Sequence, residues 1–170
     1  KVRPGDTVAI IGAGTLGLLT LAAVEHFAPE CTVIIGAKHP HQRDLARALG
    51  ADVVCGSDEL ARAVRRHTGT QVLGSGAGIR RLTGGADVTV DCVGSADSIA
   101  TALAVTRPTG RAVMIGMPGV VKADMTPLWQ REIELVGAYA YGTERLTDAD
   151  GLPTGDTRRS FDMAFELVAA

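Results

Sequence analysis

Thr7-Val8-Ala9-Ile10-Ile11-Gly12-Ala13-Gly14-Thr15-Leu16-Gly17 runs from a short β-branched apolar segment straight into a G-x-G-x-x-G spacing. The apolar run, bounded by glycine, reads as a buried strand of a parallel sheet. The residues after it, Thr15 to Phe27, carry Leu16, Leu18, Leu19, Leu21 and Val24 almost all round and stop before Pro29, which predicts a well-packed helix. A glycine spacing alone is a weak signal; a strand before it and a helix after it give it the context of a dinucleotide-binding corner. Gly12 permits the tight turn, Gly14 leaves no side chain between backbone and a diphosphate, and Gly17 lets helix and sheet approach. The N–H groups of Gly14, Thr15 and Leu16, with the helix dipole behind them, would then face the phosphates. The bland alternative is a glycine-rich turn that only joins strand to helix.

Working outward, the alternation continues. Thr32-Val33-Ile34-Ile35 reads as a second strand, the segment from Pro40 to Gly50 as a helix, and Asp52-Val53-Val54-Cys55 as a third strand. Ser57 and Leu60 open a helix to about Thr68. Gly69 to Gly85, with glycines at 69, 74, 76, 78, 84 and 85, reads as an inserted loop with a helical turn around Ile79 to Leu82. A fourth strand follows at Asp87 to Cys92, a helix at Ser95 to Thr106 stopped near Pro108, and a fifth strand at Arg111 to Ile115. Met125 to Gln130 reads as a short helix and Ile133 to Gly137 as a sixth strand. Polar, Gly-containing Thr143 to Arg159 leads to a final helix from Ser160. This succession predicts an α/β fold, a doubly wound six-stranded parallel sheet of Rossmann type with helices on both faces, filling residues 1–170 as one domain.

A dinucleotide site places an acid roughly 20 positions beyond the glycines to hold the adenosine ribose. Ala37 stands there, followed by Lys38, His39 and, nearby, Arg43. A missing carboxylate and added cations favour a 2′-phosphate, and hence NADP over NAD; the alternative is solvated cations on a surface helix. Sheets of this kind bind ligands at strand ends, so Cys92-Val93-Gly94 and Gly116-Met117 join the candidate site, with plain turns as the competing reading.

Composition fits this reading. Hydrophobic residues make 46% and charged ones 21% of 170 residues, and 17 basic against 19 acidic side chains nearly cancel. Neither nucleic acid nor a membrane surface is indicated as a partner, and no run reaches the roughly 20 apolar residues that cross a bilayer. Cys31, Cys55 and Cys92 are far apart and form no zinc spacing, consistent with buried thiols in the cytoplasm. Beginning at Lys1 and ending in mid-pattern, the sequence reads as a piece of a longer polypeptide.

The residues resemble a known family at this point. Pro4-Gly5-Asp6-Thr7-Val8 leading into the glycine motif, with Leu45 to Asp52, Asp87 to Gly94 and Gly110 to Gly116, is similar to the cofactor domain of zinc-type medium-chain dehydrogenases of alcohols, threonine and polyols. The resemblance covers about residues 2–142. It implies a nicotinamide cofactor, a small alcohol or carbonyl substrate, a homo-oligomer, and a catalytic zinc in a domain absent from this chain. Catalytic and metal-binding residues are therefore expected to be lacking here. Ala37 in place of the ribose-binding Asp and the long Gly69 to Gly85 stretch depart from the family pattern.

Other readings stay open. A zinc-independent enone or quinone reductase would use the same cofactor fold, and a non-catalytic NADP-sensing module would use the same corner. A methyltransferase sheet is disfavoured because its ligand's ribose also wants an acid. The short-chain dehydrogenase pattern of Tyr with Lys four residues on is absent: Tyr139 pairs with Thr143 and Tyr141 with Arg145. Gly74-Ser75-Gly76-Ala77-Gly78 lacks the spacing of a second phosphate loop.

Overall fold

The computed structural model describes residues 2–73, 81–139, 141–148 and 152–169. In chain order the elements are β1 (Thr7–Ile11), α1 (Thr15–Phe27), β2 (Thr32–Gly36), α2 (Pro40–Ala48), β3 (Val53–Cys55) and α3 (Leu60–Thr68). They continue with β4 (Val72–Leu73), β5 (Arg81–Leu82), β6 (Ala86–Asp91), α4 (Ala96–Val105), β7 (Thr106–Met114), α5 (Thr126–Gln130), β8 (Glu134–Gly137), β9 (Thr143–Thr147), β10 (Pro153–Arg159) and α6 (Ser160–Ala169).

Six strands form one sheet in the order β3-β2-β1-β6-β7-β8, and every pairing in it is parallel. The predicted doubly wound sheet is what forms. Strand order reverses between β1 and β6, so their carboxyl ends border the crevice where such sheets take ligands.

β1 is buried along its whole length because both sheet faces are covered. Val8 and Ile10 pack with Leu21, Val24, Val33, Ile35, Ala46 and Val88 on the side of α1 and α2. Ala9 and Ile11 point the other way, with Ile34, Leu60, Val64, Ala102 and Val105 on the side of α3 and α4. Burying one such Ile or Leu side chain contributes roughly 1.5–3 kcal/mol, so the two layers hold the site's scaffold by many small terms. At the sheet's far end Ile99, Leu103, Ala112 and Ile133 close a third cluster.

Polar side chains stitch the amino ends of the strands. Asp87 accepts from Thr7 N at 2.8 Å and from Arg107 Nε at 2.6 Å, joining β1, β6 and β7. Asp52 accepts from Val33 N at 2.7 Å. Arg131, 8% exposed, donates to the carbonyls of Ala104 (3.0 Å), Leu103 (3.4 Å) and Gly84 (2.6 Å), so a cation caps the carboxyl end of α4.

Four expectations need correcting. Polar Thr143 to Arg159, where no strand was expected ahead of the final helix, contains an antiparallel hairpin, with Thr143 opposite Arg159 and Arg145 opposite Thr157. Its turn side is fastened by Asp148, which donates its N–H to Leu152 O and accepts from Leu152 N. β7 starts at Thr106 and not Arg111, because Thr109 takes a left-handed φ of 55° and the ladder shifts register between Ala86 and Val88 instead of ending. In the Gly69 to Gly85 stretch, Val72 and Leu73 pair antiparallel with Leu82 and Arg81, so Arg81-Leu82 is strand and not helical turn. Residues 74–80, which hold Ile79 and the Gly74 to Gly78 loop, lie outside the described residues. Lastly, α1 is not packed all round: Gly17, Leu21 and Val24 face the core while Leu16, Leu19 and Phe27 are exposed.

Candidate functional site

The glycine corner lies between β1 and α1. Gly12 has φ +90°, which a glycine tolerates freely, and a β-carbon there would stand 2.6 Å from Val93 Cγ2. A β-carbon on Gly17 would collide with the carbonyl oxygen of Gly12, so the helix starts flush against the turn. Gly14 differs: a β-carbon there would meet no atom within 4 Å. Two glycines are thus required by the protein's own packing and the third borders open space.

Gly14 caps α1 with no side-chain hydrogen bond, and no acid stands in the first turn. The N–H groups of the first turn have no acceptor inside the helix. Gly14, Thr15 and Leu16 are exposed, so these donors and the positive end of the helix face solvent at the sheet's switch point. The corner is fixed from behind by Gly12 N donating to Gly36 O at 3.1 Å, which ties it to the tip of β2.

At that tip Ala37 is fully buried in the core, and its N–H donates to Cys55 O. Ala37 therefore offers no side chain to a ligand; the first exposed one is Lys38. His39 caps α2, its backbone N–H donating to Gln42 Oε1 at 3.2 Å, and its ring stacks on His41 with centroids 5.6 Å apart. Arg43 is half-buried and donates through Nη1 to Ala37 O at 3.3 Å. That bond holds its guanidinium at the strand tip, against the Ala37 carbonyl.

On the other side of the crevice, Cys92-Val93-Gly94 follows β6 and Gly116-Met117 follows β7. Gly94 (φ +76°) and Gly116 are in backbone contact so close that neither accepts a β-carbon. Met117 sits at φ 54° with its side chain exposed. The Cys92 thiol is within reach of Thr20 Oγ1 (3.9 Å), and burial pushes it up to about 12, so it is a neutral thiol behind the corner.

The structure thus brings Gly12, Val93, Gly94 and Gly116 into one contact chain, with Lys38, His39 and Arg43 grouped at the neighbouring strand tip. Sequence reading missed Asp91. Its fully buried carboxylate accepts from Val93 N (2.9 Å), Gly94 N (3.1 Å) and Ser98 Oγ (3.1 Å), and its carbonyl accepts from Ile115 N and Gly116 N. The available signal was an acid in the last position of an apolar strand, immediately before Cys92-Val93-Gly94.

Among the described residues, no three His, Cys, Asp or Glu side chains gather to hold a metal ion, and no helix is long and apolar enough to cross a membrane.

Comparison with known proteins gives consistent results. The family profile described as zinc-binding dehydrogenase matches residues 15–152. A sorbitol dehydrogenase of Arabidopsis thaliana is 33% identical over 144 residues, covering 83% of this chain and 37% of the relative. The chain thus spans well under half the length of the curated relatives it matches. The alcohol dehydrogenase of Aeropyrum pernix superposes with a TM-score of 0.69 at 22% identity, over 99% of this chain and 40% of that one. A putative zinc-binding dehydrogenase from Sinorhizobium meliloti 1021, solved bound to NADP, gives 0.60 at 25% identity, over 81% of this chain and 38% of that one.

Proposed function

The chain belongs to the zinc-binding dehydrogenase family, and from that premise we propose that it is the nicotinamide-coenzyme domain of an alcohol or polyol oxidoreductase. The observation that carries this reading is the vacant space at Gly14 between two glycines whose α-carbons are packed shut. That is the shape a diphosphate needs: backbone donors with nothing in front of them, on a corner that cannot shift.

In this reading the N–H groups of Gly14, Thr15 and Leu16 hold the diphosphate, and Gly12 and Gly17 fix their direction. Lys38 and Arg43, with His39 at the α2 cap, face the adenosine ribose, where the cations favour the 2′-phosphate of NADP over the bare hydroxyl of NAD. Ala37 contributes backbone only. Val93, Gly94, Gly116 and Met117 line the nicotinamide side, with the Cys92 thiol packed behind them. When bound, the nicotinamide supplies or accepts the hydride exchanged with an alcohol or carbonyl carbon. The chain's own work is to bind and orient it.

Residues 1–170 form the coenzyme domain in this proposal, and the zinc and substrate pocket belong to polypeptide outside this chain. Three free cysteines fit a reducing cytoplasm. The outer edge of β8, at the border of the sheet, is where a second copy would extend it into a homo-oligomer.

Isothermal titration of the chain with NADP and with NAD tests the reading. Binding of both, with NADP the tighter by about tenfold or more, is expected. Tighter NAD would remove the 2′-phosphate assignment, and no binding of either would remove the coenzyme assignment.

A further inference from the structure

We propose that Asp91 is a positioning residue that sets the spacing between the diphosphate half and the nicotinamide half of the coenzyme site; this rests on the coenzyme reading above.

Asp91 is the last residue of β6, next to β1 at the switch point, and is fully buried. One carboxylate oxygen, Oδ1, accepts from two successive N–H groups, Val93 at 2.9 Å and Gly94 at 3.1 Å. The other, Oδ2, accepts from Ser98 Oγ at 3.1 Å, and Ser98 in turn belongs to the capping box that starts α4 with Ser95. The Asp91 carbonyl accepts from Ile115 N (3.0 Å) and Gly116 N (2.9 Å). One residue therefore holds the chain leaving β6, the chain leaving β7 and the beginning of α4.

What those bonds position is specific. Val93 is turned so that Cγ2 lies against the Gly12 α-carbon, and Gly94 is turned so that its backbone meets Gly116. Val93-Gly94 is a wedge between the glycine corner and the Gly116 loop, and its thickness is the distance between the two halves. Gly94 at φ +76° is a conformation that the Asp91 acceptor holds, since two adjacent N–H groups can aim at one oxygen only when the chain curls round it. The corner itself is secured separately, by Gly36 O and by the Gly12 to Gly17 contact. Loss of the Asp91 carboxylate should loosen the nicotinamide side and leave the diphosphate side in place.

The test compares two probes on the whole chain: NADPH, and 2′-phosphoadenosine diphosphate ribose, which lacks only the nicotinamide. The unaltered chain is expected to bind NADPH about tenfold or more tighter than the shorter probe. Asp91→Ala is expected to bring the two dissociation constants within about threefold of each other while the shorter probe's own value stays within about threefold of the unaltered chain. Asp91→Asn keeps an oxygen for Val93 and Gly94 and can donate to Ser98, so it is expected to restore the preference for NADPH. A structural role alone would weaken both probes together. If Asp91→Ala does not fold, Val93→Ala thins the same wedge by removing the Cγ2 that faces Gly12 and is expected to lose the same preference. Retention of the full NADPH preference in whichever of these two variants folds overturns the proposal and leaves the coenzyme reading intact. Failure of the unaltered chain to bind either probe overturns both.

Discussion

The carbonyl oxygen of Gly12 occupies the space that a β-carbon on Gly17 would need, so the turn after β1 and the first turn of α1 share one van der Waals boundary. Gly17→Ala can be accommodated only by moving the turn or tilting the helix. A loss of roughly 2–3 kcal/mol of stability is expected, from forced overpacking of a close-packed site. Denaturant unfolding followed by circular dichroism checks it; an unchanged midpoint would mean that the contact relaxes freely.

Arg131 is the buried cation on the carboxyl end of α4. Arg131→Met keeps the length of the stem and removes the donors, leaving the Gly84, Leu103 and Ala104 carbonyls without them. Hydrogen bonds to a charged partner are worth about 1.5–3 kcal/mol each, and relaxation recovers part, so a net loss of about 2–3 kcal/mol is expected. A thermal melt measures this, and an unchanged melting temperature contradicts it.

Glu25 titrates above its ordinary value, first because burial disfavours its charge and second because Asp52 repels it. The folded chain then holds this proton more tightly than the unfolded chain does, so stability falls as pH rises from the ordinary carboxylate range through the raised folded value. Above that window the penalty is complete. Glu25→Gln is therefore expected to melt higher than the unaltered chain at pH 7, with the gap closing in acid below the ordinary glutamate range. A gap that widens in acid would reverse the sign.

Burial raises the Cys92 thiol to about 12 and the Cys55 thiol to about 11; nearby carboxylates add to both, and Thr20 partly offsets the rise at Cys92. At pH 8 the Cys92 thiol is therefore held in its neutral, unreactive form. Alkylation by iodoacetamide, followed by mass spectrometry, is expected to be at least about 100-fold slower in the folded chain than in denaturant. Reaction of Cys92 at the rate of a free thiol would contradict the burial.

The main sheet was legible because its central strands β1, β2 and β6 bury apolar, mostly β-branched side chains on both faces, as Val8, Ile10 and Ile11 do beside Ala9. The β9 and β10 hairpin was not, because its arms are exposed and polar: no apolar face announces the pairing, and backbone bonds hold the two strands, while Arg159 to Asp162 contacts tie β10 to α6. The start of β7 was hidden by Pro108 and by the left-handed Thr109, both of which read locally as a stop. At the site, Gly12 and Gly17 were readable since their spacing is itself the packing requirement. Asp91 was not, because a buried carboxylate makes sense only once Val93, Gly94 and Ser98 have folded over it. Ala37 was a displacement of one residue: the strand's pleat turns its side chain into the core and gives the exposed tip to Lys38.

Gly14 is the most direct probe of the central claim, because an added methyl there meets no protein atom and changes only what the corner can receive. The measurement is the dissociation constant of NADPH for Gly14→Ala beside that of the unaltered chain, with a thermal melt of each. The expected result is at least about tenfold weaker binding with stability changed by no more than about 1 kcal/mol, the scale of a helix-cap substitution. Equal NADPH affinity in the two chains would contradict a diphosphate held on that backbone.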